Sequence, residues 1–141
     1  FESYTAAWYF ALNHTKLDCW NRGKKGIIIT LGDEPLNPYL PGREFKRIFG
    51  YDGQDVDTVD LYKQVTEKFD VYHIIITDPE CSGWRYLESD KKSWGKLLDG
   101  QHLFVKNSNE LPEVIRDIVT SRVDGTENSN VVISTEEGIS W

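Results

Sequence analysis

Hydrophobic positions along this chain switch between two spacings, and the switch predicts an alternation of strands and helices. Two runs, GIIITL at 26–31 and VYHIIIT at 71–77, are apolar at nearly every position. Strands have this pattern when helices cover both faces of a parallel sheet. A shorter run, HLFVK at 102–106, predicts a third strand. We therefore expect three neighbouring, mutually parallel strands with helices on both faces.

Apolar residues at helical spacing separate these runs. The first helix is predicted over 4–20, with Ser3 as its N-cap. Its apolar side is formed by Ala7, Phe10, Ala11, His14 and Leu17. Further helices are predicted at 43–49, 57–69, 89–98 and 110–123, the last of them with Asn109 as N-cap. Three prolines within 35–42 predict irregular backbone there.

The order of these elements predicts the fold class. Strands that alternate with helices are typical of an α/β fold, a three-layer sandwich with a mainly parallel, Rossmann-like sheet. We assign residues 1–123 to this unit and 124–130 to a polar linker, and residues 131–141 are either one more strand or a tail. An apolar strand such as 26–31 cannot stay an open sheet edge. We expect a second chain or a preceding segment to cover it, and the segment 131–134 is the other alternative.

Composition narrows the classes of function. The chain has 141 residues and a net charge of −7. An acidic chain is not expected to bind nucleic acids or anionic membranes in general, because that binding depends on Lys and Arg. No apolar run is long enough to span a membrane. Cys19 and Cys81 are not at a metal-binding spacing and are interpreted as free thiols, which predicts a cytoplasmic protein.

Acidic residues and a proline follow both of the long strands. Asp33 and Glu34 come after the first, and Asp78 and Glu80 after the second. In open α/β sheets, ligands bind in the crevice at the carboxyl ends of the strands, where these residues would lie. Asp and Pro after a strand are also ordinary turn residues. His73 and His102 are interpreted as strand-entry residues.

The sequence ESYTAAWYFALNHTKLDCWNRGKKGIIITLGDEP resembles the middle of a von Willebrand factor type A (VWA) domain of the bacterial and intracellular kind. In that family an Ala- and Leu-rich helix, a basic turn and an apolar strand ending in Asp follow one another. The resemblance extends in pattern over about residues 2–123. No DxSxS motif occurs in this chain, so the resemblance implies the C-terminal portion of an incomplete domain.

The resemblance implies a protein-interaction module rather than an enzyme. In VWA domains a divalent cation, usually Mg²⁺, is held at the carboxyl edge of the sheet and is completed by an acidic side chain of a partner protein. Carried over to this chain, Asp33 and secondarily Ser3 are the metal ligands. Glu2, Gly32 and Glu34 would form the partner-binding edge. Mg²⁺ prefers six oxygen ligands, so we expect this chain alone to bind it weakly or not at all.

The alternative hypothesis is a small α/β enzyme or nucleotide-binding domain at the same edge. It would use Asp33, Glu34 and Asp78, with His73 and Cys81 as candidates by their position in the sequence. A dinucleotide-binding fold would need a Gly-rich turn after its first strand, and the sequence has none. The interaction module is therefore the favoured prediction.

Overall fold

The computed structural model describes residues 3–80, 85–122 and 131–134, the last of these by their backbone only. Helices and strands alternate through these ranges, together with short 3₁₀ turns. In chain order the elements are α1 (Tyr4–His14), β1 (Gly26–Gly32), β2 (Tyr39–Leu40), α2 (Gly42–Phe49), β3 (Val56–Asp57), α3 (Thr58–Val65), β4 (Phe69–Ile76), α4 (Leu87–Trp94), β5 (Leu103–Lys106), α5 (Leu111–Arg122) and β6 (Val131–Ser134).

The main sheet is parallel throughout, with the strand order β5-β4-β1-β6. β1 pairs with β4 in a register that sets Ile28 opposite Val71, and β4 pairs with β5 so that Ile74 lies opposite Phe104. The predicted neighbourhood and direction of these three strands are confirmed. So is the α/β class with a Rossmann-like arrangement of strands and helices.

The outer side of β1 is paired with the chain's own β6. Ile28 lies opposite Val132, and Thr30 lies opposite Ser134. Our expectation that a second chain or a preceding segment covers this edge is corrected here, because the segment 131–134 already provides a parallel partner. The alternative that this segment forms one more strand is the correct one. Val, Val and Ile in that segment suit a strand position beside an Ile-rich neighbour.

Both faces of the sheet are covered, as predicted. One face packs on α1, α3 and α4, and the other packs on α5. On the first face the buried side chains include Ile28, Val71 and Ile75 with Tyr4, Trp8, Leu61, Val65 and Trp94. On the second face they are Ile27, Ile29, Leu31, Tyr72, Ile74 and Ile76 with Ile118. The period-2 alternation of β1 therefore separates two cores, and neither face is left polar.

Several predicted boundaries differ from the structure. α1 ends at His14 instead of continuing to residue 20, because Thr15 is extended (φ −124°, ψ 160°) and its hydroxyl bonds back to the carbonyl of Ala11. A 3₁₀ helix, Asp18–Arg22, then ends at Gly23 in the left-handed region. Apolar spacing continues across this break, so periodicity alone did not detect it.

Two further predictions are wrong. Part of the proline-rich stretch is regular, since Tyr39–Leu40 pairs antiparallel with Val56–Asp57. The cap before α5 is Asn107, whose side chain accepts a hydrogen bond from the backbone of Asn109. Glu110 completes a capping box by accepting from the backbone of Asn107.

The strand order marks the position at which a ligand site is expected. From β1 the chain proceeds to β4 and β5 on one side, and it then returns through α5 to β6 on the other side of β1. The order therefore reverses between β1 and β6. In open α/β sheets the ligand site lies at such a switch point, outside the carboxyl ends of the strands. Here that position is the loop that begins after Gly32.

Candidate functional site

The loop after β1 is held against helix α4 by three hydrogen bonds. The indole Nε1 of Trp94 donates to the carbonyl of Glu34 at 3.1 Å. Ser93 contributes twice: its Oγ accepts from the backbone N–H of Leu36 at 2.9 Å and lies 3.2 Å from the carbonyl of Leu36. These bonds fix the backbone that carries Asp33 and Glu34, so the two carboxylates project from a defined loop.

A third carboxyl group, Asp90 of α4, belongs to the same edge. Its side chain is only 1% exposed, and neither of its oxygens has a hydrogen-bond partner among the described residues. Burial, with added repulsion from Asp33 and Glu34, raises the pKa of Asp90 to about 6. We call Asp33, Glu34 and Asp90 the acidic edge.

Aromatic side chains pack under this edge. His73 stacks on Trp94 with the ring planes 7° apart. Tyr4, the first residue of α1, meets both rings edge-on with centroids 5.0 and 5.1 Å away. The N-terminus of α1 is therefore positioned by the rings that also support α4. Ser3 caps this helix, and its Oγ accepts from the backbone N–H of Ala6 at 3.3 Å.

His73 is a core residue. It lies in the middle of β4 with no exposed surface, which corrects its interpretation as a strand-entry residue. Its Nδ1 is 2.7 Å from the hydroxyl of Thr30 on β1. Burial lowers the pKa of His73 well below its ordinary value, so the imidazole is neutral in the folded protein. Because the His73 ring is fully enclosed, it cannot contact a substrate at the acidic edge.

Asp78 holds the start of the helical turn before α5. One of its oxygens accepts from the backbone N–H of Ser108 at 2.6 Å, and the other accepts from the Ser108 hydroxyl. A carboxylate at this position satisfies backbone donors that a helix start leaves unpaired. Asp78 therefore ties the end of β4 to this helix start by a long-range contact, whereas its position after a strand predicted a local turn role.

The predicted site residues separate into distinct groups. Asp33 and Glu34 lie at the acidic edge directly after Gly32, the buried last residue of β1. Ser3 is a helix cap, and Glu2 and Cys81 lie outside the described residues. Asp90 was not identified from the sequence as a candidate site residue. Its spacing from Leu87 and Trp94 places it on the inward side of α4, and an acid at an inward position is the signal that could have found it.

The described ranges contain no group of three or more His, Cys, Asp or Glu side chains arranged to hold a metal ion. Asp33, Glu34 and Asp90 are therefore close enough to repel one another but do not form a cation cage. Within the same ranges, no helix is both long enough and apolar enough to cross a bilayer.

Comparisons with protein-family models, with curated proteins and with solved structures find no match to this chain. The VWA resemblance therefore stays a prediction. Arguments about function rest on the geometry of the chain itself.

Proposed function

We propose that this chain is a non-enzymatic protein-interaction module of VWA type and that its contact surface is the part of the acidic edge formed by Asp33 and Glu34. The observation that carries the proposal is the position of Asp33 and Glu34. They follow a fully buried strand at the reversal point of the sheet, on a loop fixed to α4. A partner docking there meets a rigid backbone that needs little ordering on binding.

The alternative hypothesis is a small enzyme. The contacts of two of its candidate catalytic residues, His73 and Asp78, give it less support. His73 is enclosed and neutral, and both carboxylate oxygens of Asp78 accept hydrogen bonds from Ser108. An acid–base catalyst must come within hydrogen-bond reach of its substrate. Neither of these side chains is placed to do so at the acidic edge.

Mg²⁺ fits this surface only with help from other ligands. Asp33 is one hard oxygen ligand, and Ser3 already accepts a hydrogen bond from its own helix. Mg²⁺ requires near-octahedral oxygen coordination and loses its water reluctantly. The described residues do not supply that set. A partner's acidic side chain, or residues outside the described ranges, would have to complete it.

Paramagnetic broadening by Mn²⁺ tests the proposal on the chain as it is. We expect Mn²⁺ to bind only in the millimolar range, weaker than about 1 mM, and to broaden amide signals around residues 33–36. The Asp33→Ala variant should lose this local broadening. The matched control is Asp52→Ala, which removes an exposed carboxylate from a distant loop and should leave the broadening unchanged. Equal broadening in wild type and Asp33→Ala would remove Asp33 from the cation site.

We also propose a cytoplasmic location. Cys19 is a buried free thiol, as expected in a reducing compartment. Cys81 lies outside the described residues. Mass spectrometry of the protein alkylated under denaturing conditions without reductant would count two free thiols if this is correct, and a disulfide between Cys19 and Cys81 would contradict it.

A further inference from the structure

A second surface lies at the opposite end of α1 from the acidic edge. The last turns of α1 and the C-terminal half of α2 enclose a groove of about 430 Å³. We call it the aromatic groove. Its described lining consists of Phe10, His14, Lys46, Arg47, Ile48, Phe49 and Gly50. Three of these residues are apolar (Phe10, Ile48 and Phe49), three are of the basic types (His14, Lys46 and Arg47), and none is acidic.

Rings line the groove in a continuous stack. His14 lies between Phe10 and Phe49, with ring centroids 5.6 and 5.4 Å away and interplanar angles of 25° and 24°. Phe49 in turn stacks on Tyr51 at 5.9 Å and 23°. His14 is exposed and Tyr51 is 38% exposed, so the stack reaches the surface. Contiguous exposed aromatic surface on a small protein marks an interaction site.

Hydrogen bonds hold the stack in place. The Nε2 of His14 is 2.8 Å from the hydroxyl of Tyr51. Burial and a hydrogen bond with Tyr9 raise the pKa of Tyr51 to about 12, so its hydroxyl keeps its proton at neutral pH. Gly50 ends α2 in the left-handed region (φ 82°) and turns the chain so that Tyr51 follows Phe49 into the stack. A fixed set of rings loses little entropy when a partner binds.

The charge of the groove is opposite to that of the chain. The protein carries −7 overall. Arg43, Lys46 and Arg47 lie on α2, and its one acid, Glu44, forms an ion pair with Arg47. Lys46 makes no ion pair with any described residue. The groove lining therefore includes Lys46 and Arg47 and no acidic residue, and Lys46 is the cation most available to an anionic group at short range.

We propose that the aromatic groove binds an acidic peptide segment of a partner protein through one aromatic side chain of that segment. The partner's ring would extend the stack formed by Phe10, His14 and Phe49, and its carboxylates would face Lys46 and Arg47. Aromatic residues and Arg are the side chains enriched in protein interfaces, and carboxylates are the complementary charge. This site is separate from the acidic edge, and the proposal does not depend on the function proposed there.

Chemical-shift mapping by NMR on the ¹⁵N-labelled chain tests the proposal with three synthetic heptapeptides and a fourth, charge-reversed control. The first is DEDWDED, the second replaces its tryptophan by serine, and the third, NQNWNQN, keeps the ring without the charge. We expect DEDWDED to shift the amides of His14, Phe49 and Gly50 and to bind at least about 5-fold tighter than either of the others. A charge-reversed peptide, KRKWKRK, should not shift these amides.

The Lys46→Glu variant supplies the decisive comparison. It should weaken DEDWDED at least about 5-fold and should bind KRKWKRK better than wild type does. Lys63→Glu, which changes an exposed lysine of α3 outside the groove, should leave both affinities unchanged. Because both substitutions are at exposed positions, neither should unfold the chain.

Four results would overturn the proposal. They are equal binding of the three heptapeptides, equal weakening by Lys46→Glu and Lys63→Glu, tighter binding of an eight-residue oligothymidine than of DEDWDED, and shifts at the groove that depend on protein concentration without peptide. The third result would assign the groove to nucleic acid, and the fourth would assign it to a second copy of the chain.

Discussion

The two ends of helix α1 have opposite chemistry. At its N-terminus, Tyr4 packs under the acidic edge, where Asp90 is buried beside two further carboxylates. At its C-terminus, His14 lies in the aromatic groove with Lys46 and Arg47. At the N-terminal end the aromatic rings are buried beneath the carboxylates, whereas at the C-terminal end the rings reach the surface. One short helix therefore separates two surfaces that suit partners of opposite charge.

Burial is the physical difference between the two ends. Trp94 and His73 have no exposed surface, whereas the side chains of the aromatic groove are half-buried or exposed. Rings under the acidic edge contribute to the stability of the fold, while rings in the groove remain available for binding. The predictions below test this division, beginning with the largest expected effect.

Replacing Trp94 by alanine should be among the most destabilising single changes in the chain. It empties a fully buried site, removes the stack with His73, and removes the hydrogen bond that fixes Glu34. We expect a loss of about 3–5 kcal/mol in the free energy of unfolding, measured by urea denaturation at pH 7.5. Phe49→Ala in the groove should cost clearly less, about 1–2 kcal/mol, because Phe49 is only half-buried. Equal losses would contradict the division.

Asp90→Asn should change how stability depends on pH. The pKa of Asp90 is about 6 in the folded protein and lower in the unfolded chain, so the ionised group opposes folding at neutral pH. We expect the variant to be more stable than wild type at pH 7.5, by at most about 3 kcal/mol. The difference should shrink as the pH falls from 6 to 4, where wild-type Asp90 takes up its proton.

His73 has the opposite influence on stability: its burial favours the folded state at high pH and disfavours it at low pH. It is neutral when folded, so its contribution to stability is present above the unfolded pKa of about 6.5 and is lost as the pH falls below that value. Wild type and Asp90→Asn both contain His73, so the effect of His73 on stability cancels when the two are compared. Asp52→Asn, at an exposed position in the loop after Tyr51, is the matched control for the replacement of an aspartate by asparagine. A difference between wild type and Asp90→Asn that persists at pH 4 would show that the amide, not the lost charge, is responsible.

Ser3→Ala should have the smallest of the three effects. It removes the side-chain oxygen that accepts from the N–H of Ala6 at the start of α1. Loss of an N-cap costs about 1 kcal/mol, and Ser3→Thr should restore most of it. Urea denaturation provides the measurement. Binding of DEDWDED at the other end of α1 should be unchanged in Ser3→Ala, and weaker binding there would show that the two ends are coupled.

Much of the sheet could be predicted from residues close together in the chain. Nearly continuous apolar runs identified β1 and β4, a shorter apolar run identified β5, and helical spacing identified α1 and α5. Direction and neighbourhood followed from the alternation of strands and helices, because a helical crossover returns the chain to the same end of the sheet, so that consecutive strands run parallel. Asp33 and Glu34 could be placed at the carboxyl edge for the same reason. Each of these features depends on the backbone preference and the apolar pattern of a single short segment.

The tertiary structure decided what depends on distant residues. The sequence left open whether 131–134 pairs with anything, and the pairing of Ile28 with Val132 joins positions about a hundred residues apart. Burial raised the pKa of Asp90 to about 6 and kept His73 neutral in the core, and neither effect can be read from the residue types alone. The aromatic groove arises only where α2 folds back on the end of α1. The sequence alone determined the five helices, the strands β1, β4 and β5, and their order. Packing determined the charge states and surfaces, because desolvation and ring contact exist only once distant segments meet.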